Sequence, residues 1–273
     1  MIVHPNIDPV AIDIPLPWIG SLPVHWYGLM YLIGFVGGAL IGVYRARRPG
    51  SGWKKEEVWD VLFYIAIGVI IGGRLGYVLF YQFEYYSSHP LEVFSVWTGG
   101  MAFHGGLIGV IVAVWLFGRH TQRKFLQITD FIAPLCPLGL GAGRVGNFLN
   151  QELWGGPTDA PWGVVFPAVD AVSRHPSQLY EAGLEGLVLL VILLVYSRRS
   201  RPVGSVSGLF LVCYSMFRFF VELFREPDTH LGYLMFDWVT MGQLLSVPMF
   251  VFGVWLMYRA YSGSAKVRST VSR

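Results

Sequence analysis

The stretch Val24–Tyr44, VHWYGLMYLIGFVGGALIGVY, contains no Asp, Glu, Lys or Arg and is followed directly by Arg45. About 20 consecutive apolar residues are enough for a helix to cross the hydrocarbon core of a bilayer. The whole chain of 273 residues shows the same bias, because 54% of its residues are hydrophobic and only 14% are charged. Soluble domains carry about 25% charged residues. These features exclude a soluble globular protein and predict a protein that crosses a membrane several times.

Six further apolar stretches follow the first one. We therefore predict an all-α polytopic membrane protein with seven transmembrane helices, forming a single domain over residues 1–273. The predicted spans are residues 24–44, 58–80, 101–118, 126–145, 179–196, 204–224 and 238–258. Residues 1–23 hold five prolines and two aspartates but no Lys or Arg. Because a secretory signal peptide begins with a basic region, we predict an irregular surface segment here instead.

Basic residues are divided unequally between the two ends of the spans. Fifteen of the 20 Lys and Arg residues lie in alternate loops and in the C-terminal tail, and the opposite loops hold only Arg174 and Arg225. Loops rich in Lys and Arg face the cytoplasm. The N-terminus is therefore predicted to lie outside and the C-terminus in the cytoplasm. The remaining three basic residues, Arg74, Arg144 and Arg218, lie within spans or at their ends.

The sequence offers no motif for metal or nucleotide chemistry. Cys136 and Cys213 both lie in apolar stretches, so we expect buried thiols rather than a disulfide. The patterns CxxC and HExxH and the Walker phosphate-binding loop are absent from the sequence. We therefore expect no cofactor, no metal and no nucleic acid partner.

Glycines recur at a spacing of four residues within several predicted spans, as in the pairs Gly68/Gly72 and Gly105/Gly109. Small residues at this spacing let helix backbones pack closely in lipid. We predict close helix packing at these glycines. No internal sequence repeat is visible, which disfavours a transporter, because many transporters are built from duplicated halves.

The most distinctive polar stretch is Gly143–Glu152, GRVGNFLNQE, at the end of the fourth predicted span. It places a guanidinium, carboxamides and a carboxylate where an apolar stretch meets water. An ionisable group at that depth is costly and marks a functional site by default. A polar helix end with an internal Arg–Glu pair is the structural alternative. The polar, Pro- and Gly-rich residues 147–176 are predicted to form a small cap on the outer face, and an inert loop is the alternative.

Arg74 and Arg218 are predicted to lie roughly 9 Å below the outer ends of the second and sixth spans, from a rise of 1.5 Å per residue. Glu222 lies one turn above Arg218 on the same helical face. Six spans place polar groups near the outer headgroups, at Tyr27, Arg74, His104, Arg144, Glu181 and Arg218. Arginine forms two parallel hydrogen bonds with phosphate and stays charged. The pattern predicts recognition of a phospholipid phosphate, while a plain ion pair explains Arg218 with Glu222 equally well.

His104 precedes two glycines at the start of the third predicted span. Histidine exchanges a proton near neutral pH, so His104 is a candidate general base, although a lone histidine beside an apolar stretch is more often structural. Tyr27 begins the first span, where an interfacial aromatic belt explains it equally well.

Five stretches resemble motifs of the bacterial prolipoprotein diacylglyceryl transferase family. They are His104–Gly106 (HGG), Gly143–Gly155 (GRVGNFLNQELWG), His175–Glu181 (HPSQLYE), Phe217–Asp228 (FRFFVELFREPD) and Met241–Gln243 (MGQ). The resemblance covers nearly the whole chain in order, and it implies seven spans with the N-terminus outside.

The resemblance implies transfer of the sn-1,2-diacylglyceryl group of phosphatidylglycerol to the lipobox cysteine of a prolipoprotein, at the bacterial inner (cytoplasmic) membrane. A thioether forms and glycerol phosphate is released, which is the first step of lipoprotein maturation. The implied partners are phosphatidylglycerol, the prolipoprotein signal peptide and the bilayer. Positions that match residues needed by the family are Tyr27, His104, Arg144, Asn147, Glu152, Gly155, Arg218 and Glu222. Arg74 and Asn150 are further candidates for substrate binding.

Chemical reasoning suggests roles for these residues. A cysteine thiol must become a thiolate to attack carbon, and the leaving phosphate gains charge as the C–O bond breaks. We predict that Arg144 and Arg218 clamp the phosphate, that His104 takes the thiol proton, and that Asn147 and Tyr27 hydrogen-bond around the headgroup. The alternative to His104 is that the arginines lower the pKa of the thiol enough for water or phosphate to take the proton.

Two other classes of protein remain as alternatives. If the protein is an anion transporter, ionisable groups are expected at the membrane midplane and along both halves of the ion path. Another phospholipid headgroup-processing enzyme predicts paired carboxylates for a metal.

Overall fold

The computed structural model describes residues 2–16, 20–227, 232–236 and 238–271. Asp228, which ends the FRFFVELFREPD motif, and Arg273 of the basic tail lie outside the described residues. The chain forms two compact units. The larger unit comprises Met1–Leu40 with Asp130–Arg273, and the smaller unit comprises Ile41–Thr129. The sequence did not indicate this division.

Helices dominate the described residues. They are α1 (Trp26–Ala46), α2 (Lys55–Phe80), α3 (Phe83–Ser88), α4 (Phe103–Thr121), α5 (Phe125–Ile132), α6 (Cys136–Leu149), α7 (Ser177–Glu181), α8 (Leu189–Tyr196), α9 (Ser205–Val221) and α10 (Met241–Val271). Short 3₁₀ turns cover Pro90–Phe94, Val96–Thr98, Ala133–Leu135 and Glu222–Phe224, and a π-helical segment, Ala182–Val188, joins α7 to α8.

Seven helical stretches of the described chain are long and apolar enough to cross a membrane. They are Trp26–Ala46, Lys55–Phe80, Phe103–Thr121, Phe125–Leu149, Ser177–Tyr196, Ser205–Phe224 and Met241–Gly263. The predicted number of spans is therefore confirmed, and each boundary lies within a few residues of its predicted position. Large apolar side chains along these helices are exposed, such as Leu40 at 62% and Phe63 at 64%. Exposed apolar surface of this extent is expected where lipid replaces water as the solvent.

The fourth span extends beyond its predicted end at residue 145. Helix α6 continues to Leu149, so Asn147 lies in the helix and not in the segment after it. The polar side chain of Asn147 does not end the helix, because it is hydrogen-bonded to neighbouring side chains. The helix ends where Gln151 adopts a left-handed φ of 56°.

The N-terminal segment contains strands, so the prediction that it is irregular is wrong. Five short strands are described: β1 (Ile2–Val3), β2 (Val10–Leu16), β3 (Gly20–His25), β4 (Val164–Val165) and β5 (Ser173–Arg174). Strands β2 and β3 form an antiparallel pair, while β1 pairs with β4 and β4 with β5. Both strands of a two-stranded sheet are edge strands, which tolerate proline. Pro15 and Pro23 therefore did not prevent pairing.

Within the larger unit, α6 packs closely on the π-helical segment. A Cβ atom added to Gly141 would lie 3.0 Å from the Cα atom of Gly186. Elsewhere in this unit, Asp130 accepts hydrogen bonds from the N–H groups of Gly204 (2.6 Å) and Ser207 (2.8 Å), at the start of α9. A carboxylate at a helix N-terminus satisfies N–H groups that have no partner in the helix.

Within the smaller unit, α2 and α4 pack through glycines. A Cβ atom on Gly68 would lie 2.5 Å from the carbonyl oxygen of Gly109, and one on Gly72 would lie 2.8 Å from the Cα atom of Gly109. This contact confirms the close packing that the glycine spacing predicts. Away from it, Arg123 bonds the Glu57 carboxylate at 2.8 Å and lies 4.4 Å above the Trp53 ring.

Candidate active site

A buried carboxylate joins two arginines at the centre of the larger unit. Glu181, at the end of α7, is fully buried. Its Oε2 atom lies 2.7 Å from Nε of Arg144 on α6 and 2.7 Å from Nη1 of Arg218 on α9. Charge-assisted hydrogen bonds in a buried setting are strong and directional. Glu181 therefore fixes guanidiniums that come from two other helices.

A second buried carboxylate, Glu222, extends this arrangement. It pairs with Arg218 one turn earlier and with Nη1 of Arg225 at 3.0 Å. The hydroxyl of Thr240 donates to its other oxygen at 2.6 Å. Gly242 leaves room for this carboxylate, because a Cβ atom there would lie 2.6 Å from it. The Arg218–Glu222 ion pair, the structural alternative that the sequence left open, is thus part of a larger network of ion pairs.

We call Arg144, Arg218, Arg225, Glu181 and Glu222 the arginine–glutamate cluster. Three guanidiniums face two carboxylates, so these five ion-paired groups carry one net positive charge. The side chain of Arg144 is 22% exposed and that of Arg218 is 13% exposed. None of the described residues accepts a hydrogen bond from Nη2 of Arg144. The cluster can therefore attract an anion and offer it donors.

The polar side chains of Gly143–Glu152 connect to the cluster through Asn147. Its Oδ1 atom accepts a bond from Arg144 Nη1 at 3.4 Å, and its Nδ2 atom donates to Glu152 at 3.3 Å. Asn150 donates to the other oxygen of Glu152 at 3.4 Å. Gln178 fixes the backbone by donating to the carbonyl oxygen of Glu152 at 2.7 Å. Asn147 is buried and Glu152 is exposed, so the chain of contacts runs from the cluster to the surface.

Tyr27 lines a cavity together with part of this polar network. A cavity of about 720 Å³ is lined by Tyr27, Asn150, Glu152 and residues of β3. The ring of Tyr27 packs on Gly146, where a Cβ atom would lie 3.1 Å from it. Its hydroxyl accepts a hydrogen bond from Tyr31 at 3.2 Å. Three of the predicted site residues therefore line the same cavity.

Gly155 joins two backbones and offers no side chain to a ligand. Its N–H group donates to the carbonyl oxygen of His175 at 2.9 Å. A Cβ atom would lie 2.5 Å from the carbonyl oxygens of both His175 and Phe224. Gly155 is thus required for the close approach of the segment after α6 to the chain after α9.

The segment between α6 and α7 carries titratable groups outside the membrane spans. Arg174 bonds Asp170 at 2.6 Å and Glu226 at 2.7 Å. The hydrogen bond from Arg174 holds the pKa of the Asp170 carboxyl below its usual range. Nδ1 of His175 lies 3.1 Å from the hydroxyl of Tyr180. Partial burial lowers the pKa of His175, because burial disfavours its charged form.

Arg74 lies in the smaller unit and is 3% exposed. Its guanidinium donates to the backbone carbonyl oxygens of Glu92 (2.7 Å), Val93 (2.8 Å) and Gly99 (2.6 Å). The ring of Tyr86 lies 5.1 Å from the guanidinium carbon. Most donors of Arg74 are therefore occupied by the chain itself. The sequence indicates how deep Arg74 lies in its span. It does not indicate these acceptors, which lie 18 to 25 residues away along the chain.

His104 also lies in the smaller unit, in the first turn of α4. Its side chain is exposed and contacts the neighbouring ring of Phe103 edge-on, with ring centroids 5.6 Å apart. An exposed imidazole at a helix start is accessible to a proton donor. The placement of polar groups from six spans at one depth in the membrane stays a prediction.

Two charged residues close to the predicted site were not predicted. Arg225 was counted as a loop residue, yet it pairs with Glu222. Their spacing of three residues on one helical turn was the available signal. Glu185 lies fully buried in the fifth span, one turn after Glu181, and this spacing was the signal that could have indicated it.

Seven helices that are long and apolar enough to cross a membrane define a polytopic membrane protein. Its larger unit holds a buried cluster of arginines and glutamates with one net positive charge. Over residues 15–259, the chain matches the family described as prolipoprotein diacylglyceryl transferase. The chain belongs to this family, and the resemblance inferred from five motifs is confirmed.

Relatives are similar to this chain over nearly their full length. A phosphatidylglycerol–prolipoprotein diacylglyceryl transferase of Solidesulfovibrio magneticus is 57% identical over 95% of this chain and 97% of the relative. A protein of the same description from Pseudomonas aeruginosa strain PAO1 is 54% identical, over 97% and 98% of the two chains. One from Legionella pneumophila strain Philadelphia 1 is 52% identical, over 94% and 99%.

Proposed function

We propose that this protein transfers the sn-1,2-diacylglyceryl group of phosphatidylglycerol to the thiol of the lipobox cysteine of a prolipoprotein. A C–S bond forms at the sn-3 carbon of the glyceryl group, and the bond from that carbon to the phosphate oxygen breaks. The electron pair of the broken bond leaves with glycerol phosphate. The reaction is the first step of lipoprotein maturation. The observation that carries the proposal is the Glu181-ordered pair of arginines in a chain of this family.

The arginine–glutamate cluster suits a phosphodiester in charge and in donors. Glu181 holds Arg144 through Nε and Arg218 through Nη1. This leaves Nη2 of Arg144 available to a ligand. Donors that are already ordered cost little reorganisation when charge develops on the leaving phosphate. Arg144 and Arg218 therefore bind the phosphate and stabilise its second negative charge as the C–O bond breaks.

The neighbouring residues position the headgroup and the cluster. Asn147 orients Arg144, and Glu222 orients Arg218. Tyr27, Asn150 and Glu152 line the adjoining cavity, which takes the polar part of the substrate. Gly155 holds the backbone that closes this region.

Arg74 acts by positioning a loop, since backbone carbonyl oxygens occupy most of its donors. This assignment replaces direct phosphate binding, the role that the sequence pattern predicts.

His104 takes the proton of the substrate thiol and passes it to solvent or to the leaving phosphate. Its exposure and its place at a helix start support this role, because a base must reach the S–H group of an incoming peptide. The test is His104→Gln: we expect a large loss of transfer and a changed pH profile, because glutamine cannot accept the thiol proton. Near-normal turnover with an unshifted profile would exclude His104 as the base.

We place the protein in the bacterial inner membrane, with the N-terminus outside, the C-terminus in the cytoplasm and the site toward the outer leaflet. The distribution of basic residues supports this orientation. Residues 147–176 contribute a small outer cap, supported by the pairing of β4 and β5 and by the backbone contacts of Gly155. Single cysteines at Asp159 and Ser51, labelled from either side of sealed vesicles, test it. Asp159 should label from outside and Ser51 from inside.

One reconstitution separates the proposal from its alternatives. Purified protein is incubated with phosphatidylglycerol and a lipobox peptide, and both thioether-linked peptide and glycerol phosphate are measured. The proposed function predicts equal amounts of the two products. Another headgroup-processing enzyme would release a headgroup product without thioether, and an anion transporter would form neither product while moving anions across sealed vesicles.

A further inference from the structure

Glu185 is a fully buried carboxyl in the fifth span. Neither of its oxygens has a hydrogen-bond partner among the described residues. Glu181 and Glu222, by contrast, are each bonded to arginines. An ionised carboxylate buried without a partner costs several kcal/mol, so a carboxyl in this place is stable in its neutral form. The roles proposed above do not use Glu185.

The local backbone keeps Glu185 inside the protein. It lies in the π-helical segment Ala182–Val188, four residues after Glu181. Single turns of π-helix inside longer helices are frequent at functional sites. The next residue, Gly186, packs against Gly141 of α6, where a Cβ atom on Gly186 would lie 2.7 Å from the Cα atom of Gly141. This contact holds the segment that carries Glu185 closely against α6.

Four charged groups that interact with Glu185 belong to the arginine–glutamate cluster. They are Glu181 on α7, Arg144 on α6, Arg218 on α9 and Glu222 just after α9. The phenol of Tyr214 on α9 interacts with Glu185 as well. Glu185 therefore lies within electrostatic reach of the groups that hold the phosphate in the proposed function.

The net charge of the cluster depends on the state of Glu185. The cluster has one net positive charge, and an ionised Glu185 would reduce it to zero. The phosphodiester of phosphatidylglycerol carries one negative charge. Glu152 has little influence on this balance, because it is exposed to water and bonded to carboxamides.

We propose that Glu185 is a positioning residue that sets the charge of the arginine–glutamate cluster. As a neutral carboxyl it leaves the positive charge available to a phosphodiester, and as a carboxylate it cancels that charge. The inference rests on the proposed function, because it names phosphatidylglycerol as the anion. It follows that affinity for phosphatidylglycerol falls when alkaline pH ionises Glu185.

The test is binding of phosphatidylglycerol to the full chain in nanodiscs of zwitterionic lipid, from about pH 6 to about pH 9. Glu185→Gln keeps the shape of the side chain and removes its titration. Glu56→Gln is the matched control, since Glu56 is an exposed glutamate paired with Lys55 at 3.6 Å. We expect the affinity of the wild type to fall roughly ten-fold at alkaline pH, as expected for one charge at short range. Glu56→Gln should follow the wild type, and Glu185→Gln should keep its affinity across the range.

A parallel fall in the wild type and in Glu185→Gln overturns the proposal, and so does weak binding by folded Glu185→Gln at neutral pH. If Glu185→Gln does not fold, infrared spectroscopy of the wild type decides. A carboxylic-acid C=O band should be present at neutral pH and disappear as affinity falls; its absence at neutral pH overturns the proposal. Failure of the proposed function is distinguished by the absence of thioether product, which does not alter the pH dependence of lipid binding.

Discussion

Two buried arginine sites in this chain satisfy their guanidiniums in different ways. In the smaller unit, Arg74 donates to four backbone carbonyl oxygens of residues 92–100. In the larger unit, Arg144 and Arg218 share the carboxylate of Glu181. Carbonyl oxygens fix the first guanidinium but carry no net charge. The shared carboxylate fixes two guanidiniums and neutralises only one of them.

The difference separates a structural arginine from a ligand-binding pair. Most donors of Arg74 are used to hold a loop whose glycines, Gly99 and Gly100, have φ values of 84° and 77°. The loop depends on this conformation, which glycine adopts without strain. Arg144, by contrast, keeps Nη2 without an acceptor among the described residues, so this donor is available to a phosphate. The acceptors around an arginine, and not its depth in a span, decide its role.

The largest expected effect is that of Arg218→Gln on transfer. The change removes bonds to two buried carboxylates, and we expect the rate of transfer per folded molecule to fall by at least roughly 10² to 10³-fold. The measurement is thioether formation at saturating phosphatidylglycerol. The matched control is Arg174→Gln, which removes an ion-paired arginine from the segment between α6 and α7. Equal losses of transfer rate in the two variants would show that the cluster matters no more for transfer than Arg174 does.

Arg74→Gln should act mainly on stability. Its removal leaves four carbonyl oxygens without a charged donor, and we expect the free energy of unfolding to fall by about 2 to 4 kcal/mol. Thermal unfolding in detergent measures this loss. Transfer per folded molecule should fall far less than in Arg218→Gln. A hundred-fold loss of transfer with unchanged stability would instead place Arg74 on the substrate, as its sequence pattern predicted.

Thr240→Val tests the support of Glu222 without removing a charge. The Thr240 hydroxyl donates to Glu222 at 2.6 Å, and valine has nearly the same shape. Loss of one hydrogen bond to a charged group should cost about 1.5 to 3 kcal/mol of unfolding free energy. Thr240→Ser should recover most of it. If valine and serine behave alike, the hydrogen bond does not support the cluster.

The smallest expected effect is a loss of stability at mildly acidic pH. The pKa of His175 is lowered in the folded state by burial, so the unfolded chain binds the proton more readily. Stability therefore falls as pH drops through the ordinary histidine value of about 6.5. The pKa of Asp170 is lowered by Arg174, and its contribution is lost only below about pH 4. The unfolding temperature should therefore fall between neutral pH and about pH 5, and less in His175→Asn. An identical fall in both proteins would exclude His175 as the cause.

Seven spans could be predicted because lipid demands long apolar helices, and this demand is visible in composition alone. The strands β2 and β3 were missed because Pro15 and Pro23 argue against strands when the number of neighbouring strands is unknown. Arg144 and Arg218 were found because a charge in an apolar stretch is rare. Their common acceptor, Glu181, lies 37 residues from each of them, and only the folded chain brings the three together.

The role of Arg74 and the position of Glu185 show the limit of sequence patterns. Both residues have ionisable side chains and are buried in predicted spans. One is surrounded by carbonyl oxygens of a distant loop, and the other has no partner among the described residues. Sequence gives the depth of a charge but not the atoms around it.

The most direct test of the central claim is transfer from phosphatidylglycerol to a lipobox peptide by the wild type, Arg144→Lys and Arg218→Lys. Lysine keeps the charge but lacks the planar set of donors that binds phosphate and carboxylate together. We predict one thioether-linked peptide per glycerol phosphate in the wild type, and a rate at least roughly 100-fold lower in both folded variants. The account is contradicted if the wild type forms no thioether, or if both lysine variants transfer at the wild-type rate.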